Sequence, residues 1–306
     1  MGRNGGRKRP GGQGEAGAAK AGAVKANGAK AGAVKAAGAK TDSTRTDNTK
    51  GAAKAGSAKA EGVTADTAKA PAKADAKGGK PALIRLRRAG RTYGERQALF
   101  PIDMAVRAGE CVALMGSNGS GKSTLLRLAS GREKPTTGSV LFEGHPMREE
   151  DPRTRARIAV VGDTVSCYPD LTARAHLLLV ARAQGVGDAA AEWTDRVLAE
   201  RGLTAHADSY PSSLSSGQMQ SLLLGCAFVR PRDMLILDEP EQRLDPAARD
   251  RLAEQIKQEK RDGVAVLLAT HHTDLAGSTA DRVIVLEEGR VIAAGATEKV
   301  LKKVGL

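Results

Sequence analysis

The segment Gly116-Ser117-Asn118-Gly119-Ser120-Gly121-Lys122-Ser123-Thr124 constrains the fold and chemistry of this chain more than any other. Before it, residues 110–115 (ECVALM) read as a short buried strand, and after it LLRLAS has helical patterning. The spacing G-x-x-x-x-G-K-S between a strand and a helix describes a phosphate cradle. Its glycines let the backbone curl so that successive N–H groups face phosphate oxygens. The following helix adds the positive end of its dipole. Lys122 can reach the terminal phosphates and the Ser123 hydroxyl can ligate Mg²⁺. A chance Gly/Ser loop would account for the glycines but not for the lysine, the serine and the strand–helix context together.

A second apolar run, residues 234–237 (MLIL), ends in Asp238-Glu239-Pro240. Alone, an Asp-Glu pair at a strand end is a turn. Placed about 110 residues after a phosphate loop, it has a chemical use. Asp238 can hold Mg²⁺ through its water shell, and Glu239 can polarise the water that attacks a γ-phosphate.

Further pieces carry a family likeness. Leu214-Ser215-Ser216-Gly217-Gln218 resembles the LSGGQ signature of ABC-type ATPases, with Ser216 in place of the usual first glycine. MLILDEP resembles that family's Walker B block, Arg243-Leu244-Asp245 its D-loop, and Leu268-Ala269-Thr270-His271 its switch-histidine loop. Tyr93, about two dozen residues before the phosphate loop, stands where the family keeps an aromatic to stack on adenine. The resemblance runs from about residue 82 to the end and includes the closing stretch DRVIVLEEGR. One position departs from it. After residues 158–161 the family has a glutamine that touches Mg²⁺ and senses the transport partner, whereas this chain reads Val161-Gly162-Asp163-Thr164. Asp163 can ligate Mg²⁺ as glutamine does, but it adds negative charge near the γ-phosphate.

The resemblance implies an α/β fold. It is that of a P-loop NTPase of ABC type, with an antiparallel β edge subdomain and a helical subdomain at about residues 165–230 within an ATP-binding domain of residues 81–306. It implies ATP and Mg²⁺ as ligands, with Ser123, Asp163 and Asp238 at the metal and Glu239 and His271 catalytic. Residues 116–124, Tyr93, Ser215, Gly217, Gln218 and Asp245 would contact nucleotide. Two copies would close head to tail around two ATP molecules, as a homodimer docked on a separate transmembrane permease. Two alternatives stay open: a non-transport ABC ATPase acting on nucleic acid or ribosomes, and a hydrolysis-impaired regulator. The sequence ends soon after Gly295, without the extra C-terminal domain of many sugar-type importers, which favours an exporter-like subunit.

Charge separates the remaining segment. Residues 1–80 hold 17 Lys and Arg against 6 Asp and Glu, while the rest hold 31 against 29, so the net charge of +13 is concentrated at the N-terminus. There Lys20, Lys25, Lys30, Lys35 and Lys40 recur every five residues among Ala and Gly. With so little apolar area to offset ordering entropy, a disordered basic tail is expected. Its charge suits a solvated tether, contact with nucleic acid, or contact with anionic lipid surfaces. No run reaches the length of a membrane span, and no apolar stretch follows the basic start as a secretory signal would require. Three scattered cysteines form no disulfide framework or zinc spacing; Cys167 and Cys226 are read as packing residues and the lone Trp193 as core. The expected location is the cytoplasm, at the inner face of the membrane through the permease.

Overall fold

The computed structural model describes residues 81–148, 150–162 and 167–305. The expectations for the basic tail and for Asp163 fall outside these residues.

The chain opens with a long hairpin, β1 (Ala82–Tyr93) and β2 (Arg96–Arg107), turned at Gly94. With β4 (Thr137–Phe142) and β5 (His145–Pro146) it makes a four-stranded antiparallel sheet in the order β2-β1-β4-β5. The second sheet has β3 (Cys111–Met115) near its middle and the order β10-β9-β3-β8-β7-β6. Its other strands are β6 (Ile158–Val161), β7 (Met234–Asp238), β8 (Ala265–Ala269), β9 (Arg282–Glu287) and β10 (Arg290–Ala296). All pair in parallel except β10, which folds back on β9. Strands buried on both faces need continuous rather than alternating apolar sequence, and CVALM and AVLLA are buried at every position.

The helices are α1 (Lys122–Ala129), α2 (Pro152–Arg157), α3 (Ala173–Ala183), α4 (Ala190–Glu200), α5 (Ser216–Phe228), α6 (Pro246–Arg261), α7 (Thr273–Thr279) and α8 (Thr297–Val304). They divide the apolar interior. Alternate residues of β7 and β8 serve two cores: Leu235, Leu237, Val266 and Leu268 pack with α3–α6. Met234, Ile236, Ala265 and Leu267 pack with α1 and the antiparallel sheet. A smaller third core joins β9, β10 and α8. Among the described residues no helix is long and apolar enough to cross a membrane.

The carboxyl ends of β3, β7 and β8 share one edge, where Leu114 and Asp238 both pair with Ala269. In open parallel sheets that edge is where ligands bind. The opposite edge is fastened by Asp281, which precedes β9. One of its carboxylate oxygens accepts from the Cys111 backbone N–H at 2.8 Å and the other from Lys260 Nζ at 2.9 Å. Its own N–H donates to the Cys111 carbonyl at 2.9 Å. Removing the carboxylate strands the partly buried amide that starts β3. Asp281→Ala should therefore lower unfolding free energy by about 1–3 kcal/mol, measured by denaturant titration.

Candidate active site

The phosphate loop is shaped by what presses on it. Gly116 has φ +143°, and a Cβ there would stand 2.1 Å from the Leu286 carbonyl oxygen of β9. Only glycine permits that approach. The turn between β9 and β10 then closes over the loop, with the Gly289 N–H donating to the Ser120 carbonyl at 3.0 Å. Gly121 caps α1 in a left-handed conformation, with no side chain satisfying the first helical N–H groups. The Ser120 hydroxyl is buried and has no hydrogen-bond partner among the described residues. An uncapped helix start and an orphaned buried hydroxyl in a glycine cradle fit an anionic phosphate ligand.

Lys122 is only 5% exposed. Its Nζ donates to the Gly116 and Ser117 carbonyls at 2.8 and 3.1 Å and lies 3.7 Å from Glu239 Oε1. Glu239 follows β7 in a left-handed conformation, φ +45°, that non-glycine residues seldom adopt. Its N–H is tied to the Ala269 carbonyl at 2.9 Å. In an extended strand consecutive side chains face opposite ways, yet Asp238 and Glu239 both line the same cavity, because the backbone reverses between them. His271 Nδ1 lies 3.7 Å from Glu239 Oε2, and the Gln242 amide donates to that same oxygen.

This cavity, about 760 Å³, holds Asn118, Gly119, Gly121, Lys122, Ser123 and Thr124 on one side and Asp238 and Glu239 on the other. Tyr93 forms its rim. The ring carries the Arg91 guanidinium at 4.7 Å, and its hydroxyl donates to Glu133. Gly116 and Ser117 supply carbonyls to Lys122 without lining the cavity themselves. Ser215, Gly217, Gln218 and Asp245 do not line it either. Ser215 and Gln218 form a reciprocal capping box at the start of α5, Asp245 caps α6 through the Ala248 N–H at 2.7 Å, and Gly217 lets the Arg243 carbonyl approach.

Sequence reading missed several neighbours of the site. Gln242 and Glu288 line the cavity, and Glu133 anchors Tyr93. Glu241 is the most consequential. It is 2% exposed, accepts the Thr270 hydroxyl with one carboxylate oxygen and leaves the other unpartnered among the described residues. Thr270 in turn accepts the His272 N–H at 3.0 Å, so Glu241 steadies the loop that carries His271. In the sequence its neighbours Asp238 and Glu239 draw the attention, and nothing local marks Glu241 as buried.

The chain matches the family described as ABC transporter over residues 99–242. It is 34% identical over 222 residues to Nod factor export ATP-binding protein I of Burkholderia orbicola, covering 72% of this chain and 73% of that protein. Its identity to the protein of that name from Paraburkholderia xenovorans is 36%, covering 70% and 71%. A solved ATP-binding subunit of an ABC transporter superposes with a TM-score of 0.67 at 31% identity, covering 73% of this chain and 94% of that one. A dimeric ATP-binding cassette in a post-hydrolysis state, bound to ADP and Pi, gives 0.64 at 26% identity, covering 70% and 98%.

Burial raises the Glu241 carboxyl above the usual carboxylate range, countered by the Thr270 hydrogen bond and the nearby His272 and His271. The folded state then holds this proton more tightly than the unfolded chain. Its contribution weakens stability as pH rises from the ordinary carboxylate range through the raised folded value. Glu241→Gln keeps an acceptor for Thr270 and removes the titration. Relative to the parent, it should gain thermal stability progressively as pH rises above the ordinary carboxylate range, near about pH 4; parallel melting curves from there upward would show that Glu241 does not titrate this way.

Proposed function

The chain belongs to the ABC transporter ATP-binding family, and from that footing we propose that it hydrolyses ATP to drive export through a separate membrane permease. The observation that carries this reading is the meeting of Lys122 and Glu239 at one cavity, with His271 3.7 Å from Glu239, at the carboxyl ends of β3, β7 and β8. Export is favoured because the relatives at 34% and 36% identity are named as export ATP-binding proteins. Every residue given a role lies between Tyr93 and His271, so the basic segment of residues 1–80 is dispensable for hydrolysis.

The chain's own groups divide the work. Loop N–H groups and the start of α1 bind the phosphates, and the adenine lies against Tyr93. Lys122, held now by two carbonyls and Glu239, transfers its donors to the β- and γ-phosphates. Glu239 accepts the proton of the attacking water, oriented by Gln242 and the His271 ring beside it. Ser123 and Asp238, both lining the cavity, are the described residues that would hold Mg²⁺, which supplies charge neutralisation at the phosphates when bound. Asp163 is assigned to the same ion. Ser215, Gly217, Gln218 and Asp245, which do not line their own chain's cavity, serve the nucleotide of a second copy, a reading supported by the dimeric cassette this chain resembles.

Two substitutions separate binding from chemistry. Lys122→Ala should abolish tight ATP binding, read by equilibrium titration, while the protein stays folded. Glu239→Gln should retain ATP but lose turnover by about 10²–10⁴-fold, since an amide cannot accept the proton. The retained ATP should hold a closed dimer in light scattering with Mg²⁺. A Glu239→Gln protein that turns over ATP like the parent would remove Glu239 from the reaction.

A further inference from the structure

A second cavity, about 840 Å³, lies between α4, the end of α5 and α6, and shares no lining residue with the nucleotide cavity. Its wall carries five arginines and five carboxylates, and of these Arg201 has no ion-pair partner among the described residues. Arg201, the C-cap of α4, is 5% exposed, and its Nε is buried with no hydrogen-bond partner among the described residues. Its guanidinium lies over the Phe228 ring at 4.9 Å.

Arg232 approaches the same ring at 5.1 Å, but its situation is the opposite. It is paired with Glu259 and donates to the carbonyls of Ala227, Phe228 and Arg230. Glu259 is thereby engaged elsewhere, as is Glu200, which accepts from the Gln255 amide at 3.0 Å. A second unneutralised cation stands beside Arg201. Arg251 of α6 places Nη2 3.3 Å from where a Cβ would sit on Gly202, and no carboxylate forms an ion pair with either arginine among the described residues.

Burial is the larger influence on Arg201 and, with Arg251 adding to it against the nearby carboxylates, pushes its pKa down to about 10. A cation taken out of water without a partner is strongly unfavourable, and a second cation beside it adds to the cost. Of the carboxylates on the same wall, Glu200, Glu254, Glu259 and Asp262 are held by Gln255, Lys257, Arg232 and Gln258. The corner between Arg201 and Arg251 is therefore the part of the cavity complementary to an anion, and one bound anion there would relieve both terms. Two further features define the rest of the ligand. Gln255 Oε1, also on the wall, is a buried acceptor without a donor. Trp193 presents a partly buried indole.

We propose that this cavity binds a small organic anion. Arg201 and Arg251 hold its phosphate or carboxylate, Gln255 accepts from one of its hydroxyl or amino groups, and its apolar body lies against Trp193. The volume, similar to that of the nucleotide cavity, suits a metabolite-sized molecule rather than a bare inorganic ion.

The chain supplies its own reporter, because Trp193 is its one tryptophan. Phenyl phosphate, carrying a ring and a dianionic phosphate, is titrated into the full chain while Trp193 emission is followed. Benzoate tests the carboxylate form and inorganic phosphate the bare anion. The expected result is a saturable emission change with phenyl phosphate or benzoate, requiring at least tenfold less ligand than inorganic phosphate. Lys122→Ala should leave this response intact, since the nucleotide cavity is separate. Arg201→Met should weaken it at least tenfold. So should Arg251→Gln, an exposed position where folding is not at stake. Absence of a saturable change with either organic anion would overturn the proposal. So would its loss in Lys122→Ala, its persistence in Arg251→Gln, or equal potency of inorganic phosphate.

Discussion

A buried ammonium group is tolerable only where acceptors surround it, and the placement of Lys122 governs much of this molecule. Removing a cation from water costs several kcal/mol unless partners replace its hydration. Here the partners are the Gly116 and Ser117 carbonyls and the Glu239 carboxylate. The first two require the loop to curl back over its own lysine. The third requires β7 to end beside β3, although β8 lies between them. The registers that pair Leu114 and Asp238 with Ala269 satisfy that condition. Sheet order, loop conformation and the position of Glu239 thus meet in one electrostatic requirement. The same set of acceptors is what a phosphate group would displace.

Much of this was legible because the chemistry is written locally. Nine consecutive residues describe the phosphate loop, and their meaning follows from backbone freedom, a helix start and a lysine. The strand before Asp238 is buried on both faces, so its sequence is a plain apolar run, and the two carboxylates at its end stand out. The cap of α5 is local too: Ser215 and Gln218 sit three residues apart and satisfy each other.

Other features depend on contacts between distant segments. Tyr93 is fixed by Glu133, forty residues away in sequence. Glu241 looks like an ordinary surface glutamate beside two functional acids. It is buried where the loop after β8 meets it through Thr270, and no periodicity announces that. Arg201 is similar, a charged residue at the end of an amphipathic helix, where solvent exposure is the usual outcome. Only the meeting of α4, α5 and α6 turns it into a buried cation. Trp193, read as core, packs against the core only from one side and faces the cavity on the other.

The left-handed backbone at Glu239 carries a consequence for how this protein balances stability against activity. Side chains with a Cβ adopt that conformation at a cost of order 1–3 kcal/mol, whereas glycine adopts it freely. Backbone energetics alone would therefore favour glycine at this position, and chemistry alone favours a carboxylate. The glutamate is retained against the local preference of the chain. Among the described residues five side chains other than glycine share a positive φ, Arg88, Glu143, Glu239, Arg243 and Glu288. Two of these, Glu239 and Glu288, line the cavity of the phosphate loop, and Glu239 stands beside the buried lysine.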